Sequence, residues 1–174
     1  MMEYWDQSCS MGLKTTERIL MSTRAIRFLE QKKIPFEVVT YDHEEKGAAF
    51  ASRAAGYPLE RTIKTLVVDL GEKQYTLVLM PGDKQLSMKR LARLLGVKRA
   101  AMADTRTAER ITGYLVGGIS PFGTSQKLPV VMDESILEFE EILINAGQRG
   151  TMLIIAPEII RKVLECGVGS LVQE

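Results

Sequence analysis

The chain has 174 residues, of which 45% are hydrophobic and 26% charged, with a formal net charge of +1 and two cysteines. This balance suits one globular domain of ordinary size and excludes a disordered or collagen-like chain. No apolar run approaches the roughly 20 residues of a membrane span, and residues 1–10 lack the basic start and apolar stretch of a secretory signal, so a cytoplasmic protein is expected.

Residues 1–20 read as a detachable extension, because Met1, Met11 and Met21 can each begin a chain and the globular pattern starts at Ser22. The expected division is an extension over 1–20 and a single domain over 21–174. Ser22 to Lys33 predicts a helix capped by Ser22 or Thr23, with Ile26 and Leu29 on one face and Pro35 beyond its end. Phe36 to Tyr41 predicts a strand. A short helix follows over Gly47 to Ala55, stopped by Gly56 and Pro58. The runs Ile63–Leu70 and Tyr75–Met80, separated by Gly71-Glu-Lys-Gln74, predict a β-hairpin. Ser87 caps a helix carrying Met88, Leu91, Leu94 and Leu95, closed by Gly96. A short strand near Arg99–Met102 comes next, and Asp104 or Thr105 caps a helix that ends by Gly113. Leu128–Met132, Glu141–Asn145 and Thr151–Ile155 predict strands, and Pro157 opens a last helix to about Leu164. Strands and helices of this order, with one clear hairpin, favour an α+β fold built on a mixed sheet over a regular βαβ array.

Charge is unevenly distributed. Lys84 to Arg110 holds Lys84, Lys89, Arg90, Arg93, Lys98, Arg99, Arg106 and Arg110 against Asp104 and Glu109, whereas Val130 to Glu174 is net acidic. A basic region on a near-neutral protein can dock a polyanion; solvated helix faces produce the same pattern. With one histidine, His43, and cysteines at opposite ends, Cys9 and Cys166, a Cys/His zinc site is not expected, nor is a structural disulfide in a reducing compartment.

The most unusual stretch is Gly113-Tyr-Leu-Val-Gly-Gly-Ile-Ser-Pro-Phe-Gly123. Glycines let a backbone approach a ligand closely, and free N–H groups in such a loop can hold an anion or a developing oxyanion. A tight helix-to-strand connection explains the same residues. The stretch is no P-loop, because Thr124 stands where the phosphate-binding lysine must be. Lys64, set among β-branched residues in Arg61-Thr-Ile-Lys-Thr-Leu-Val-Val68, either snorkels to water or faces a ligand anion. His43 can be a general base or an ordinary loop histidine. Ser120 and Ser125 lack the base and orienting group that a nucleophile needs.

These residues carry a resemblance. Tyr41-Asp-His, Ile63-Lys64-Thr65-Leu, Met102-Ala-Asp104, Gly113-Tyr-Leu-Val-Gly-Gly-Ile-Ser-Pro121, Leu128-Pro129 and Gly147-Gln-Arg149-Gly150 resemble, in order, the YbaK/ProX/EbsC group of aminoacyl-tRNA editing deacylases. The resemblance covers Met21 to about Leu164. It implies a partly barrel-like mixed sheet flanked by helices, hydrolysis of a mischarged aminoacyl-tRNA, and neither metal nor cofactor. It also implies that Lys64 is required for deacylation, that Tyr41, Phe50 and Thr65 line the pocket, and that Gly117 lies close to the scissile ester. Gly118, Ile119, Ser120 and Pro121 complete the expected substrate loop, with the N–H groups of Gly117 to Ile119 and Lys64 holding the terminal adenosine and ester. Lys84, Lys89, Arg90, Arg93, Lys98 and Arg99 are the expected contacts to the tRNA backbone. The implied partners are aminoacyl-tRNA and a prolyl-tRNA or other synthetase. Asn145 and Met152 depart from the family pattern, where YbaK has serine and aspartate, so the default substrate, Cys-tRNA(Pro), competes with serine, threonine, alanine or a non-protein amino acid. The competing functional class is a non-catalytic tRNA- or nucleotide-binding accessory protein.

Overall fold

A computed structural model describes residues 22–174; the expected 1–20 extension and Cys9 lie outside these residues. Thr23 caps the first helix, α1 (Arg24–Gln31), by accepting from the Ile26 N–H. The Thr23 hydroxyl also donates to the Ala146 carbonyl, so the cap fixes where α1 docks. Ala25, Ile26 and Leu29 form the buried stripe of this helix, the spacing expected of one helical face.

The remaining elements follow in chain order: β1 (Glu37–Thr40), α2 (Ala48–Ala55), a 3₁₀ turn (Leu59–Arg61), β2 (Thr62–Gly71), β3 (Gln74–Pro81), α3 (Met88–Leu95), β4 (Ala101–Met102) and α4 (Thr105–Thr112). Then come β5 (Val130–Asp133), a 3₁₀ segment (Glu134–Glu138), β6 (Ile142–Gln148), β7 (Thr151–Ile155), α5 (Pro157–Val163) and β8 (Gly167–Gly169). The eight strands form one mixed sheet in the order β1-β7-β6-β2-β3-β5-β8, with β4 added to β2. The hairpin β2–β3 is antiparallel, while β2–β6, β3–β5 and β5–β8 are parallel.

The sheet is buried on both faces. Ile63, Val67, Leu77 and Leu79 face a core that includes α1, Phe122 and Ile160. Val68, Val78 and Met80 face Leu91 of α3 and Leu171. Alternate residues of β2 and β3 therefore serve two separate cores, which accounts for the unbroken apolar runs of this hairpin. Four elements are absent from the sequence-based expectation or differ from it. β8 and both 3₁₀ segments are additional, and β6 continues past Asn145 to Gln148 through a register shift against β7.

Residues 171–173 brace the turn after β3. Ser87 N–H donates to the Leu171 carbonyl at 2.7 Å and Gln173 N–H to the Gln85 carbonyl at 2.8 Å. The Asp133 carboxylate, almost fully buried, accepts from the Leu171 N–H at 2.8 Å and from Ser135. A buried charge is tolerated when its lone pairs are satisfied in this way.

Tyr114, 5% exposed, donates its hydroxyl to the Phe122 carbonyl and so closes the glycine-rich segment on itself. Burial pushes its phenol up from 10.0 to about 12. The folded state therefore holds this proton more tightly than the unfolded chain. The resulting stability is fully present below pH 10 and is lost as pH rises toward 12. Tyr114→Phe should cost about 1–2 kcal/mol at neutral pH through the lost hydrogen bond. In urea unfolding from pH 7 to 11.5, the gap between variant and wild type should shrink above pH 10; a constant gap would contradict this assignment.

Candidate active site

Strand β2 changes neighbours along one edge. Thr62 and Ile63 pair with Leu143 and Ile144 of β6, and Val68 and Asp69 pair with Met102 and Ala101 of β4. Between them β6 and β4 diverge, and a cavity of about 360 Å³ opens in the gap. One wall is β2 from Ile63 to Val67. The others come from Tyr41 to Ala51, from Met102 to Ala108, from the glycine-rich loop at Val116, Gly117 and Ile119, and from Asn145, Arg149, Gly150 and Met152. The inner wall is apolar, with Ala51, Ala108 and Met152 buried. The basic side chains of Lys46, Lys64 and Arg149 also line it.

Lys64 enters the cavity wall from β2 and donates through Nζ to the Lys84 carbonyl. Burial lowers its pKa below the ordinary lysine value, and the nearby Asp83 carboxylate opposes the shift. The side chain thus presents a half-desolvated ammonium held by a main-chain acceptor, with no carboxylate within ion-pair distance among the described residues. Such a cation attracts an anion or a developing oxyanion more strongly than one in bulk water.

The glycine-rich loop is held by five hydrogen bonds. Val116 N–H donates to Glu109 Oε1 at 2.9 Å, and Val116 carbonyl accepts both Nε and Nη2 of Arg149, at 3.0 and 2.6 Å. Asn145 Nδ2 donates to the Gly117 carbonyl at 3.3 Å, while Gly118 N–H donates to the Leu115 carbonyl at 2.9 Å. Gly117 adopts φ +92°, a left-handed conformation that side chains resist, and a Cβ on Gly118 would lie 3.0 Å from the Arg149 nitrogen. These positions require glycine for the loop to lie against the β6–β7 turn. The expectation that all N–H groups from Gly117 to Ile119 face a ligand is corrected at Gly118, whose N–H is spent inside the turn. Gly117 and Ile119 have no such partner among the described residues.

The structure gathers Tyr41, Lys64, Thr65, Gly117, Ile119 and Asn145 around one cavity, with Met152 opposite Asn145 in the β6–β7 register. Phe50 is not among the lining residues; its ring lies 6.0 Å from that of Tyr41 at 58°. Burial raises the Tyr41 phenol pKa. Gly118, Ser120 and Pro121 are buried beneath the loop and do not line the cavity. Among the basic candidates, Lys89, Arg93, Lys98 and Arg99 surround a shallow groove beside α3. Arg90 instead pairs with Glu174 and Ser170, and Lys84 supplies its carbonyl to Lys64. Sequence reasoning did not single out Lys46 or Arg149 as site residues. His43, weighed as a loop histidine, lies on the cavity wall. No cluster of three or more metal-binding side chains occurs among the described residues, and none of their helices is long and apolar enough to cross a membrane.

Comparison with known proteins places these features in context. The family described as "Aminoacyl-tRNA editing domain" matches residues 43–163. An Enterococcus faecalis protein named "Putative Cys-tRNA(Pro)/Cys-tRNA(Cys) deacylase EbsC" is 32% identical over 152 residues, covering 86% of this chain and 91% of that protein. An Escherichia coli K12 protein named "Multifunctional Ser/Thr-tRNA deacylase ProXp-y" is 34% identical over 137 residues, covering 76% of this chain and 81% of that protein. A solved structure described as "a putative trans-editing enzyme for prolyl tRNA synthetase" superposes with a TM-score of 0.80 at 25% identity, covering 94% of this chain and all of that one.

The fork of Arg149 on Val116 yields a direct test. Arg149→Lys keeps the charge but loses the two-pronged geometry. Both Arg149→Lys and Arg149→Ala should speed hydrogen exchange at Val116 and Gly118, whose N–H groups are bonded to Glu109 and Leu115, by about tenfold or more, as expected when about 1.5–3 kcal/mol of charged hydrogen bonding is lost. Exchange rates like those of the wild type in both variants would show that the loop is held by other contacts.

Proposed function

The chain belongs to the aminoacyl-tRNA editing domain family, and we propose that it acts in trans on mischarged tRNA, with Cys-tRNA(Pro) as its default substrate. Its general activity is that of the family: an aminoacyl-tRNA deacylase, a hydrolase of the ester joining an amino acid to the tRNA terminus. One observation carries the finer proposal. A half-desolvated lysine and a braced glycine loop face each other across a cavity with an apolar interior and basic residues on its walls.

The chemistry suits that arrangement. An aminoacyl ester is already activated, so orientation and charge stabilisation can supply the acceleration without a nucleophilic triad. Lys64 and the free N–H groups of Gly117 and Ile119 hold the terminal adenosine and the ester. Water attacks the carbonyl carbon, or, for cysteine, the substrate's own thiol does. Met152 and Ala51 make the inner wall apolar, which suits a thiol or methyl better than a hydroxyl left without a partner. Asn145 is committed to Gly117 and Gly147 and so holds the loop. The groove formed by Lys89, Arg93, Lys98 and Arg99 receives tRNA phosphates, and a prolyl-tRNA synthetase is the natural source of the mischarged substrate.

A deacylation assay on a panel of mischarged tRNAs tests this. Wild type should hydrolyse Cys-tRNA(Pro) fastest, and Lys64→Ala should abolish turnover. If Lys64 acts as a cation, rate enhancement over spontaneous hydrolysis declines as pH rises through its lowered pKa, before the ordinary lysine value of 10.5 is reached. An enhancement that grows with pH would assign it to the neutral amine. Added salt should raise KM steeply, and neutralising Lys89, Arg93 and Lys98 together should flatten that dependence; an unchanged slope would remove the groove from the tRNA path.

A further inference from the structure

The gap in β2 leaves a specific set of main-chain groups unpaired. Ala103 N–H donates to the Val67 carbonyl at 3.0 Å, and Leu77, opposite Val67, donates its own N–H away from β2 to Pro129 at 2.9 Å. These two bonds fix the phase of the strand. Odd-numbered residues of β2 turn their N–H and C=O toward the β6/β4 edge, and even-numbered residues turn theirs toward β3. Ile63 is paired with β6, and the Val67 carbonyl is occupied by Ala103. Thr65 lies between them, and no strand pairs with its edge.

The side chain of Thr65 is in the same condition. Its Oγ1 is the one buried side-chain oxygen or nitrogen without a hydrogen-bond partner among the described residues, and it belongs to a residue that lines the cavity. Native structures satisfy nearly all such groups, and the exceptions tend to sit where a ligand completes them. One residue therefore offers the cavity an N–H donor, a C=O acceptor and a hydroxyl, all unused.

An amino acid esterified through its carboxyl carries an α-ammonium donor and a carbonyl acceptor at the spacing of a strand residue. We propose that the aminoacyl group docks on Thr65 as a one-residue strand. The Thr65 C=O accepts from the α-ammonium, the Thr65 N–H donates to the ester carbonyl, and Oγ1 contacts the side chain. This is strand addition to an open edge, confined to a single residue by the pairings at Ile63 and Val68. It deepens the deacylase reading and rests on it. Thr65 forms no covalent bond. When water attacks, its oxygen bonds to the carbonyl carbon, the bond to the ribose oxygen breaks, and that oxygen takes up the proton released by the water. The Thr65 N–H faces the oxygen on which negative charge develops, so its hydrogen bond strengthens as the carbonyl becomes tetrahedral.

The docking predicts that the enzyme requires a free α-ammonium. The test uses the intact protein and compares Cys-tRNA(Pro) with 3-mercaptopropionyl-tRNA(Pro), which lacks only that group, and Ala-tRNA(Pro) with propionyl-tRNA(Pro). Each kcat/KM is divided by the spontaneous hydrolysis rate of the same ester, which removes the intrinsic activation by the ammonium. The ratio should fall by about ten- to a hundredfold in each deamino substrate, the worth of one charge-assisted hydrogen bond. Equal ratios would overturn the proposal. Thr65→Val, which keeps the strand shape and the main-chain groups, should retain this requirement while changing the ranking of cysteine, alanine and serine. An unchanged ranking would remove Oγ1 from side-chain recognition. Failure to hydrolyse any aminoacyl ester would instead overturn the deacylase reading itself, and the docking with it.

Discussion

The pairing of β2 governs the rest of the molecule. Along one edge the strand is joined to β3 from Ile63 to Gly71; along the other it passes from β6 to β4. The first pairing separates two hydrophobic cores and holds the hairpin between them. The second creates the only break in that edge, and the break is the cavity. Lys64 and Thr65 are adjacent in sequence but serve opposite faces of the strand. They meet the same space because the neighbouring strand has moved away.

A second layer of order comes from side chains that hold main chain. Glu109, Asn145 and Arg149 hold the glycine loop by its amides and carbonyls, and Lys64 is itself held by the Lys84 carbonyl. The turn bearing Lys84 leans on residues 171–173 through Gln85 and Ser87. The site is therefore assembled from loops, yet each loop is tied to a strand or to a neighbouring segment by specific hydrogen bonds. A constellation so supported can keep its geometry while substrate arrives, which is where electrostatic stabilisation gains its effect.

Most of this architecture was legible before any coordinates. Thr23, Ser87 and Asp104 announce three helices because their side chains can satisfy first-turn amides. The β-branched runs on either side of Gly71 announce the central hairpin. β8 was not legible, because Gly167-Val-Gly169 has neither the length nor the alternation of a strand and forms only by pairing with β5. At the site, Lys64 stood out as a charge inside an apolar run. Arg149 did not, since its partner is a carbonyl 33 positions away, and no local pattern records such a contact. The commitment of Gly118 N–H to Leu115 was hidden for a different reason: four glycines make several turns feasible, and only packing against Arg149 selects one.

Unpaired strand edges are a hazard in most β-proteins, because they template association with other chains and lead toward aggregates. Here the interval of β2 between its ladders to β6 and β4 spans four residues, Lys64 to Val67, the last with its carbonyl already taken by Ala103, and it shares the cavity with Tyr41 and the glycine loop. A foreign strand needs several consecutive residues to gain a foothold, and none of that length fits. The fold can thus keep a hydrogen-bonding edge permanently available in a crowded solution without inviting self-assembly, a protection that would be lost if β4 were to peel away and lengthen the gap.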